Sequence, residues 1–449
     1  MARARAVAAE PATGRVDALN HEGWGVVRAG SSGGKTIFVA GALPGELVEY
    51  RVRKRERSHD EAQLLQVLEP SPARIEPHCP HFGICGGCAL QHLAPSAQLV
   101  VKDTELRETL RRVGKVEPQQ WLAPLSGDPW GYRRRARLGA RYVHAKGRSL
   151  VGFREKHSSF VADVEHCPVL RPEVGLLVGE LGKLVTSLSI PERIPQIEAA
   201  VGDNITVLVV RVLQPPTPAD RERLLDFERQ HAVRILLQSG RPDQLEALHG
   251  EKPELLYELP AYGLKMAFEP ADFIQVNGAM NRLLIDHVLG LFELDATSTV
   301  LDLFCGLGNF TLPLATRARR VVGIEGDAGL IARANANAER NGVANASFHV
   351  ANLAGEAAAE RCLELAGPGG YSHVLIDPPR TGALDVLPAL ARLSPRRLVY
   401  VSCHPGSFAR DLGILVTQHG FTLQSAGIVD MFPHTSHVES VALLHGPKG

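Results

Sequence analysis

The sequence predicts an α/β protein of several domains: a C-terminal Rossmann-like unit, preceded by a small OB-like β-barrel and a mixed, mostly β central domain. Three observations carry that expectation. From about residue 271 to the end, apolar strand-like runs alternate regularly with helical stretches. Residues 12–70 hold short strand-like runs broken by glycine turns instead. The length of 449 residues exceeds what one hydrophobic core fills and suits two or three domains.

The barrel is read from residues 1–72. Thr36-Ile37-Phe38-Val39 and Leu47-Val48-Glu49-Tyr50-Arg51-Val52 have strand composition, and Gly23-Trp24-Gly25, Gly33-Gly34 and Gly41 to Gly45 supply turns. Arg51 to Arg57 is basic enough to bind phosphate at a barrel edge, or to be a solvated charged strand. Met1 to Glu10 is basic and alanine-rich, lacks the apolar core of a secretory signal, and reads as a frayed tail.

Pro70-Ser71-Pro72 reads as a linker, and residues 73–270 as the central domain. Residues 73–95 carry Cys79, Cys85 and Cys88 among Gly, Pro and His, so they form loop. Residues 96–113 read as a helix, with Leu99, Leu106 and Leu110 on one face and Lys and Arg on the other. Residues 128–270 mix strands and helices without regular alternation, which predicts a mostly antiparallel sheet. That stretch opens with the basic run Tyr132-Arg133-Arg134-Arg135-Ala136-Arg137.

Bulk composition excludes several classes. With 45% hydrophobic and 22% charged residues, the chain is ordinary soluble globular material. Lys plus Arg equals Asp plus Glu at 49 each, so a nucleic-acid surface must be a local patch. No apolar stretch is long enough to span a bilayer, and no membrane partner is expected. The seven cysteines are odd in number and clustered, which suits thiols used for metal and catalysis in a reducing cytoplasm.

Within residues 271–449, three apolar runs end in chemistry. Thr299-Val300-Leu301-Asp302 leads into Leu303-Phe304-Cys305-Gly306-Leu307-Gly308-Asn309; His373-Val374-Leu375-Ile376 ends at Asp377-Pro378-Pro379; Leu398-Val399-Tyr400-Val401-Ser402 ends at Cys403-His404-Pro405. Runs of this kind are strands buried on both faces, and their carboxyl ends hold ligands in open α/β sheets. The glycines permit positive φ and close approach of a ligand to the backbone. Glu325 ends the next run, 23 residues after Asp302, where a carboxylate can accept from ribose hydroxyls. Position 311 is Thr, so the dinucleotide glycine pattern is not met. The glycine turn, Glu325 and Asp377-Pro378-Pro379 together favour S-adenosyl-L-methionine over a nicotinamide cofactor.

Cys403 sits where a covalent nucleophile belongs. A thiolate that adds to C6 of a pyrimidine makes C5 an enolate-like carbon able to attack a sulfonium methyl. The C5 proton must then leave to a base before the thiol is expelled. Glu439, ahead of the apolar run Val441-Ala442-Leu443-Leu444, supplies a carboxylate whose burial would raise its basicity. His434 and His437 are candidates for supporting it.

These residues resemble a known family. Phe273-Ile274-Gln275-Val276-Asn277, Asp302 to Phe310, Asp377-Pro378-Pro379-Arg380, Val401 to Pro405 and Met431 to Glu439 are similar to motifs of the RNA uracil-5-methyltransferases, over the last 180 or so residues. The resemblance implies a Rossmann-like S-adenosylmethionine-dependent methyltransferase domain at 271–449. It also implies Cys403 as nucleophile, Glu439 as base, and Gln275, Phe304, Asn309, Glu325, Asn352 and Asp377 as cofactor contacts. The cysteine cluster together with a leading barrel is similar to the branch acting on 23S rRNA, whose barrel is a TRAM domain. A cytoplasmic monomer with 23S rRNA as partner is the corresponding expectation.

Cys79-x5-Cys85-x2-Cys88, with Cys167-Pro168 further on, has the spacing of either a zinc or an iron–sulfur site, and three close ligands plus a distant Cys-Pro lean towards iron–sulfur. The resemblance implies a 4Fe-4S cluster held by Cys79, Cys85, Cys88 and Cys167; with all four positions filled by cysteine it is expected to be structural or RNA-positioning rather than catalytic. Three rivals fit less well. A radical S-adenosylmethionine enzyme uses a shorter first cysteine gap. A non-catalytic RNA-binding assembly factor has no use for an intact Cys403 and Glu439. A cytosine-5 methyltransferase carries its thiol after proline, not after Ser402.

Overall fold

The structure, a computed structural model, describes residues 10–28, 35–156, 158–241, 244–355, 357–366 and 370–447. The expected tail at residues 1–9 and the Gly33-Gly34 turn lie outside them. Two compact units are present. One holds the described residues up to Lys102 together with Phe153–Ala162 and Phe432–His437; the other holds Asp103–Gly152, Asp163–Met431 and those from Val438 on.

The first unit opens with a closed five-stranded barrel, as the glycine-punctuated strands predict. Its strands are β1 (Ala12–Leu19), β2 (Gly25–Arg28), β3 (Thr36–Ala40), β4 (Leu47–Arg55) and β5 (His59–Glu69), in the order β1-β2-β3-β5-β4. Alternation sends Val16, Val27, Ile37, Val39, Val48, Tyr50 and Ala62 inward. Gly25 is required there: a Cβ would lie 2.9 Å from both Ala42 and Val16 side chains. Glu46 is fully buried, and Arg74 from the following segment answers it with contacts of 2.6 and 2.8 Å while also reaching the Gly41 carbonyl at 2.7 Å. Burial alone would raise this carboxyl; hydrogen bonds from Arg74 and from the Leu43 and Ser71 amides hold it below the usual range.

The cysteine segment is loop, as expected. The Cys79 amide donates to Gln91 Oε1 at 3.1 Å, the Cys85 amide to the His81 carbonyl at 2.9 Å, and the Gly86 amide to the Arg154 carbonyl at 2.8 Å. Helix α1 (Pro95–Thr109) follows, and its last turn widens over Leu110–Gly114 before Lys115 closes it at φ 57°. The expected solvent-facing basic stripe fails at Lys102, which is only 1% exposed. Its Nζ donates to the Phe432 carbonyl at 3.0 Å, so the ammonium is sunk into the unit on a hydrogen bond that the helical period alone does not reveal.

The second unit carries a six-stranded sheet, an eight-stranded sheet and a two-stranded hairpin among the described residues. The short strand β6 (Gln120–Trp121) joins the eight-stranded one. Strands β7 (Arg135–Val143) and β8 (Arg148–Gly152) are followed by helices α2 (Pro172–Gly175) and α3 (Val178–Ser187). Then come β9 (Gln196–Val201), β10 (Thr206–Arg211), α4 (Pro218–His231), β11 (Val233–Gln238) and β12 (Leu245–Ala247). The resulting six-stranded sheet, β12-β11-β10-β9-β7-β8, is antiparallel except for the β10–β11 pair, close to the mostly antiparallel sheet expected. That exception is forced by α4, a capped crossover helix begun by a Thr217–Asp220 capping box.

After the hairpin β13 (Leu255–Leu259) and β14 (Leu264–Phe268) comes α5 (Gly278–Phe292). The βα alternation then runs β15 (Thr299–Leu303), α6 (Thr311–Ala315), β16 (Arg320–Glu325), α7 (Ala328–Arg340), β17 (Ala346–Val350), α8 (Ala357–Ala366), β18 (His373–Ile376), α9 (Leu387–Leu393), β19 (Arg397–Ser402), α10 (Pro405–His419), β20 (Thr422–Val429) and β21 (Glu439–His445). The sheet order is β17-β16-β15-β18-β19-β21-β20-β6. Strands β15 to β19 are mutually parallel, and β15, β16, β18 and β19 are buried on both faces, which explains their apolar runs; β17, at the edge, is only partly buried. The order reverses between β15 and β18, and the crevice at that reversal is where such sheets bind ligands.

Candidate active site

The crevice is built first from backbone. Phe304, the residue after β15, holds φ at +64°, a conformation that costs a non-glycine residue on the order of 1 kcal/mol. Amide donation from Phe304 and Cys305 to the Ile324 carbonyl, at 2.9 and 3.1 Å, fixes it there. Gly306 and Gly308 follow at φ +56° and +94°. Asp302 is wholly buried; Thr311 Oγ1 donates to its Oδ2 at 2.5 Å, while Oδ1 has no hydrogen-bond partner among the described residues. Burial first, and the nearby Asp377 and Glu325 charges after it, push this carboxyl up to about 8.

The predicted cofactor residues are held to different degrees. Glu325 ends β16, and its carboxylate accepts from the Gly306, Gly326 and Asp327 amides at 3.3, 2.7 and 3.1 Å. Asn352 is exposed two residues beyond Val350, the register partner of Glu325, and accepts from the Ala354 amide at 3.0 Å. Gln275 is half-buried just before α5, whose first turn Asn277 caps through the Met280 amide. Asn309 points into the protein: its Oδ1 accepts from Tyr257 Oη and Asn281 Nδ2, and its Nδ2 donates to Asn281 Oδ1, all at 2.9 Å. Tyr257 and Asn281, which sequence reasoning missed, therefore brace the glycine turn.

The thiol and the carboxylate meet at neighbouring strand ends. In the antiparallel β19–β21 ladder Ser402 pairs with Ser440, so the next position sets Cys403 across from Glu439. Glu439 is 2% exposed, and burial lifts its carboxyl well above the ordinary range, with the Asp377 charge adding to the rise. Cys403 is half-buried at the end of β19. Burial raises its thiol, as do the Glu439 and Asp377 charges; the Arg380 guanidinium pulls the other way on both groups. Asp377 itself is pushed up to about 7 by burial.

Arg380 is a third residue to which sequence reasoning assigned no role. Its loop is tied to the helix that follows Cys403: Ser407 Oγ donates to the Arg380 carbonyl at 2.9 Å, and Asp411 Oδ2 accepts from the Ala383 amide and from Tyr400 Oη, both at 2.7 Å. His404 caps that helix by accepting from the Ser407 amide at 3.2 Å. The helix therefore starts two residues past the sulfur, with its positive end adjacent. The other two cysteines of this region are poor nucleophiles. Burial pushes Cys305 well up and Cys362 to about 11.

Among the described residues, no group of three or more His, Cys, Asp or Glu side chains is gathered so as to hold a metal ion. Cys79, Cys85 and Cys88 lie half-buried in the loop of the first unit, and Cys167 lies in the second, its amide donating to the Gly175 carbonyl at 2.9 Å. Among the described residues, no helix is long and apolar enough to cross a membrane.

Residues 251–446 match the family model described as tRNA (Uracil-5-)-methyltransferase. The chain is 49% identical to the 23S rRNA (uracil(1939)-C(5))-methyltransferase RlmD of Alkalilimnicola ehrlichii, over 98% of each chain. It is 50% identical to the protein of that name from Nitrosococcus oceani, over 97% of this chain and 96% of the relative. The structure is similar to that of the Pyrococcus abyssi tRNA (uracil-54, C5)-methyltransferase in complex with S-adenosyl-L-homocysteine. The TM-score is 0.72 and the identity 25%, covering 96% of this chain and all of the other. Full-length similarity of this degree, and a sheet whose strands and strand ends carry Asp302, Asp377, Cys403 and Glu439, have one reading: the chain belongs to the RNA uracil-5-methyltransferase family.

Proposed function

We propose that this protein methylates C5 of a uridine in 23S rRNA, the equivalent of uridine 1939, with S-adenosyl-L-methionine as methyl donor. The observation that carries the reading is Cys403 facing Glu439 across adjacent strand ends, with Arg380 acting on both. The activity for which the relatives are named supplies the substrate.

The donor supplies an electrophilic methyl group. The glycine turn with its strained Phe304, the Glu325 carboxylate and Asp302 Oδ1, which has no hydrogen-bond partner among the described residues, suit an adenosyl ligand with a ribose diol. Gln275, Phe304, Asn309, Glu325, Asn352 and Asp377 are assigned to this site, with Asn309 acting through its clamp on Tyr257 and Asn281.

Cys403 as thiolate forms a bond from sulfur to C6 of the uracil, and electron density moves to C5. C5 takes the methyl group from the donor's sulfonium sulfur, which keeps the bonding pair and departs as a thioether; Glu439 as carboxylate then takes the C5 proton, the C5–H pair forms the C5–C6 double bond, and the pair of the Cys403–C6 bond returns to sulfur. The raised affinity of Glu439 for protons makes it a stronger base than a solvated glutamate. The Arg380 guanidinium and the α10 amino terminus lower the cost of the two anions.

Residues 1–72 are assigned as the RNA-binding TRAM barrel, 73–270 as the central domain and 271–449 as the methyltransferase domain of a cytoplasmic monomer. The spacing of Cys79, Cys85, Cys88 and Cys167 supports a 4Fe-4S site from sequence alone. Iron and acid-labile sulfide near four per chain in anaerobically purified protein would uphold it, and zinc or no metal would end it.

The decisive experiment is transfer of labelled methyl from the donor to a 23S rRNA fragment, followed by mapping of 5-methyluridine. A product at the uridine equivalent to 1939 upholds the reading. Transfer only to tRNA would move the activity to the substrate of the archaeal neighbour.

A further inference from the structure

The basic run that opens β7 takes no part in the chemistry above. Strand alternation puts Arg135 and Arg137 on one face of the six-stranded sheet, with Gln196 and Glu198 of β9, Val209 and Arg211 of β10 and Gln238 of β11. These side chains line a cleft closed along one side by Pro270 and Ala271. The opposite face, with Ile197, Ala199, Leu208, Val210, Ile235 and Leu237, is buried under apolar cover that includes α4.

The cleft has an ordered donor pattern. Arg211 is flanked in register by Gln196 on one side and Gln238 on the other. Arg137 lies in the neighbouring row, opposite Glu198. Two residues along a strand separate the rows by roughly 6.6 Å, comparable to the spacing of phosphates along an extended single strand. Three guanidiniums meet a single carboxylate, Glu198, which contacts Arg137 at 3.0 Å and Arg135 at 3.8 Å. Arg211 is exposed and makes no ion pair among the described residues, and the Arg137 side chain is 69% exposed.

We propose that this sheet face is the track for the phosphate backbone of single-stranded RNA, with Arg137 and Arg211 as its principal phosphate contacts. The inference rests on the RNA substrate proposed above and adds where that substrate lies. The chain has no net charge to attract a polyanion as a whole, so attraction must come from a local surface of this kind. Guanidinium and carboxamide N–H groups are the donors phosphate oxygens take, and none of them reads base identity from this position.

The test uses the full-length protein with R137Q, R211Q and the double variant, measuring affinity for a 23S rRNA fragment across a KCl series and steady-state methylation. The R229Q variant on α4, where the side chain is 63% exposed, removes the same charge from another surface. Each track variant is expected to weaken binding severalfold and the double variant at least tenfold. The slope of log affinity against log salt should fall by about 0.7 to 0.9 for each arginine removed, KM for RNA should rise, and kcat should hold. R229Q should behave as wild type. A double variant with unchanged affinity and salt slope overturns the inference, as does an equal loss in R229Q. Absence of methyl transfer to any RNA by the wild-type protein would instead overturn the functional reading, a separate result.

Discussion

The Gln98 carboxamide grips His434 at two points. Its Oε1 accepts the His434 main-chain N–H at 2.9 Å, and its Nε2 lies 3.3 Å from the ring Nδ1. Nε2 also donates to the Leu90 and Leu93 carbonyls at 3.0 and 2.8 Å, and the Ala89 and Leu90 amides donate to the His434 carbonyl, both at 2.9 Å. His434 is thereby held at φ +65°, five residues before Glu439 and in direct contact with the residues that follow Cys88.

Q98A should loosen the approach to Glu439. Stranding buried polar groups costs about 1–3 kcal/mol. If that cost falls on the placement of the base, kcat drops roughly tenfold while the donor's dissociation constant stays put. Steady-state kinetics beside calorimetric donor binding checks this; parallel loss of both would mean general unfolding.

C403A is expected to abolish turnover and leave donor binding near normal, because only the covalent step needs the sulfur. E439Q should retain C6 addition and stall elimination. A protein–RNA adduct that survives a denaturing gel is its signature, and a slow variant without adduct would assign the proton to another group.

Arg380 should set the pH profile. Both Cys403 and Glu439 react as anions, and both have proton affinities raised by burial, so the rate falls as pH drops through those raised values. Removing the guanidinium raises both further. R380Q therefore moves the acid limb to higher pH, and each unit of displacement costs about tenfold in rate below the limb. The same variant should slow iodoacetamide alkylation of Cys403 at neutral pH, measured by mass spectrometry.

In the barrel, R74A leaves Glu46 buried without its cation and should destabilise the first unit by about 3 kcal/mol. The wild-type carboxyl is held below its unfolded value, so its contribution is present above that value and is lost as pH falls through the folded one. Without Arg74 burial dominates and the sign reverses: the variant gains relative stability on acidification. Thermal melts from neutral to acidic pH distinguish the two slopes.

Much of the architecture was legible because it is written locally. An unbroken apolar run ending in Asp302, Asp377 or Cys403 marks a parallel strand and its loop within ten residues of chain. The barrel's five strands were likewise readable from alternation and glycine. Lys102 was misplaced because helical period does not report a carbonyl brought over from Phe432. Tyr257 and Asn281, remote in sequence, hold the Asn309 amide, a contact that no local pattern reports.

The amino-acid order by itself determined which groups are available: a thiol, a carboxylate, a glycine turn, and a strand end to carry each. Tertiary structure alone decided their mutual states. Cys403 and Glu439 lie 36 residues apart, and only the antiparallel return of β21 beside β19 sets them opposite one another. Only the packing of α10 against the Asp377–Ala383 loop brings Arg380 to bear on both. Proton affinity depends on burial and on charges a few ångströms away, and neither is a property of neighbouring positions along the chain.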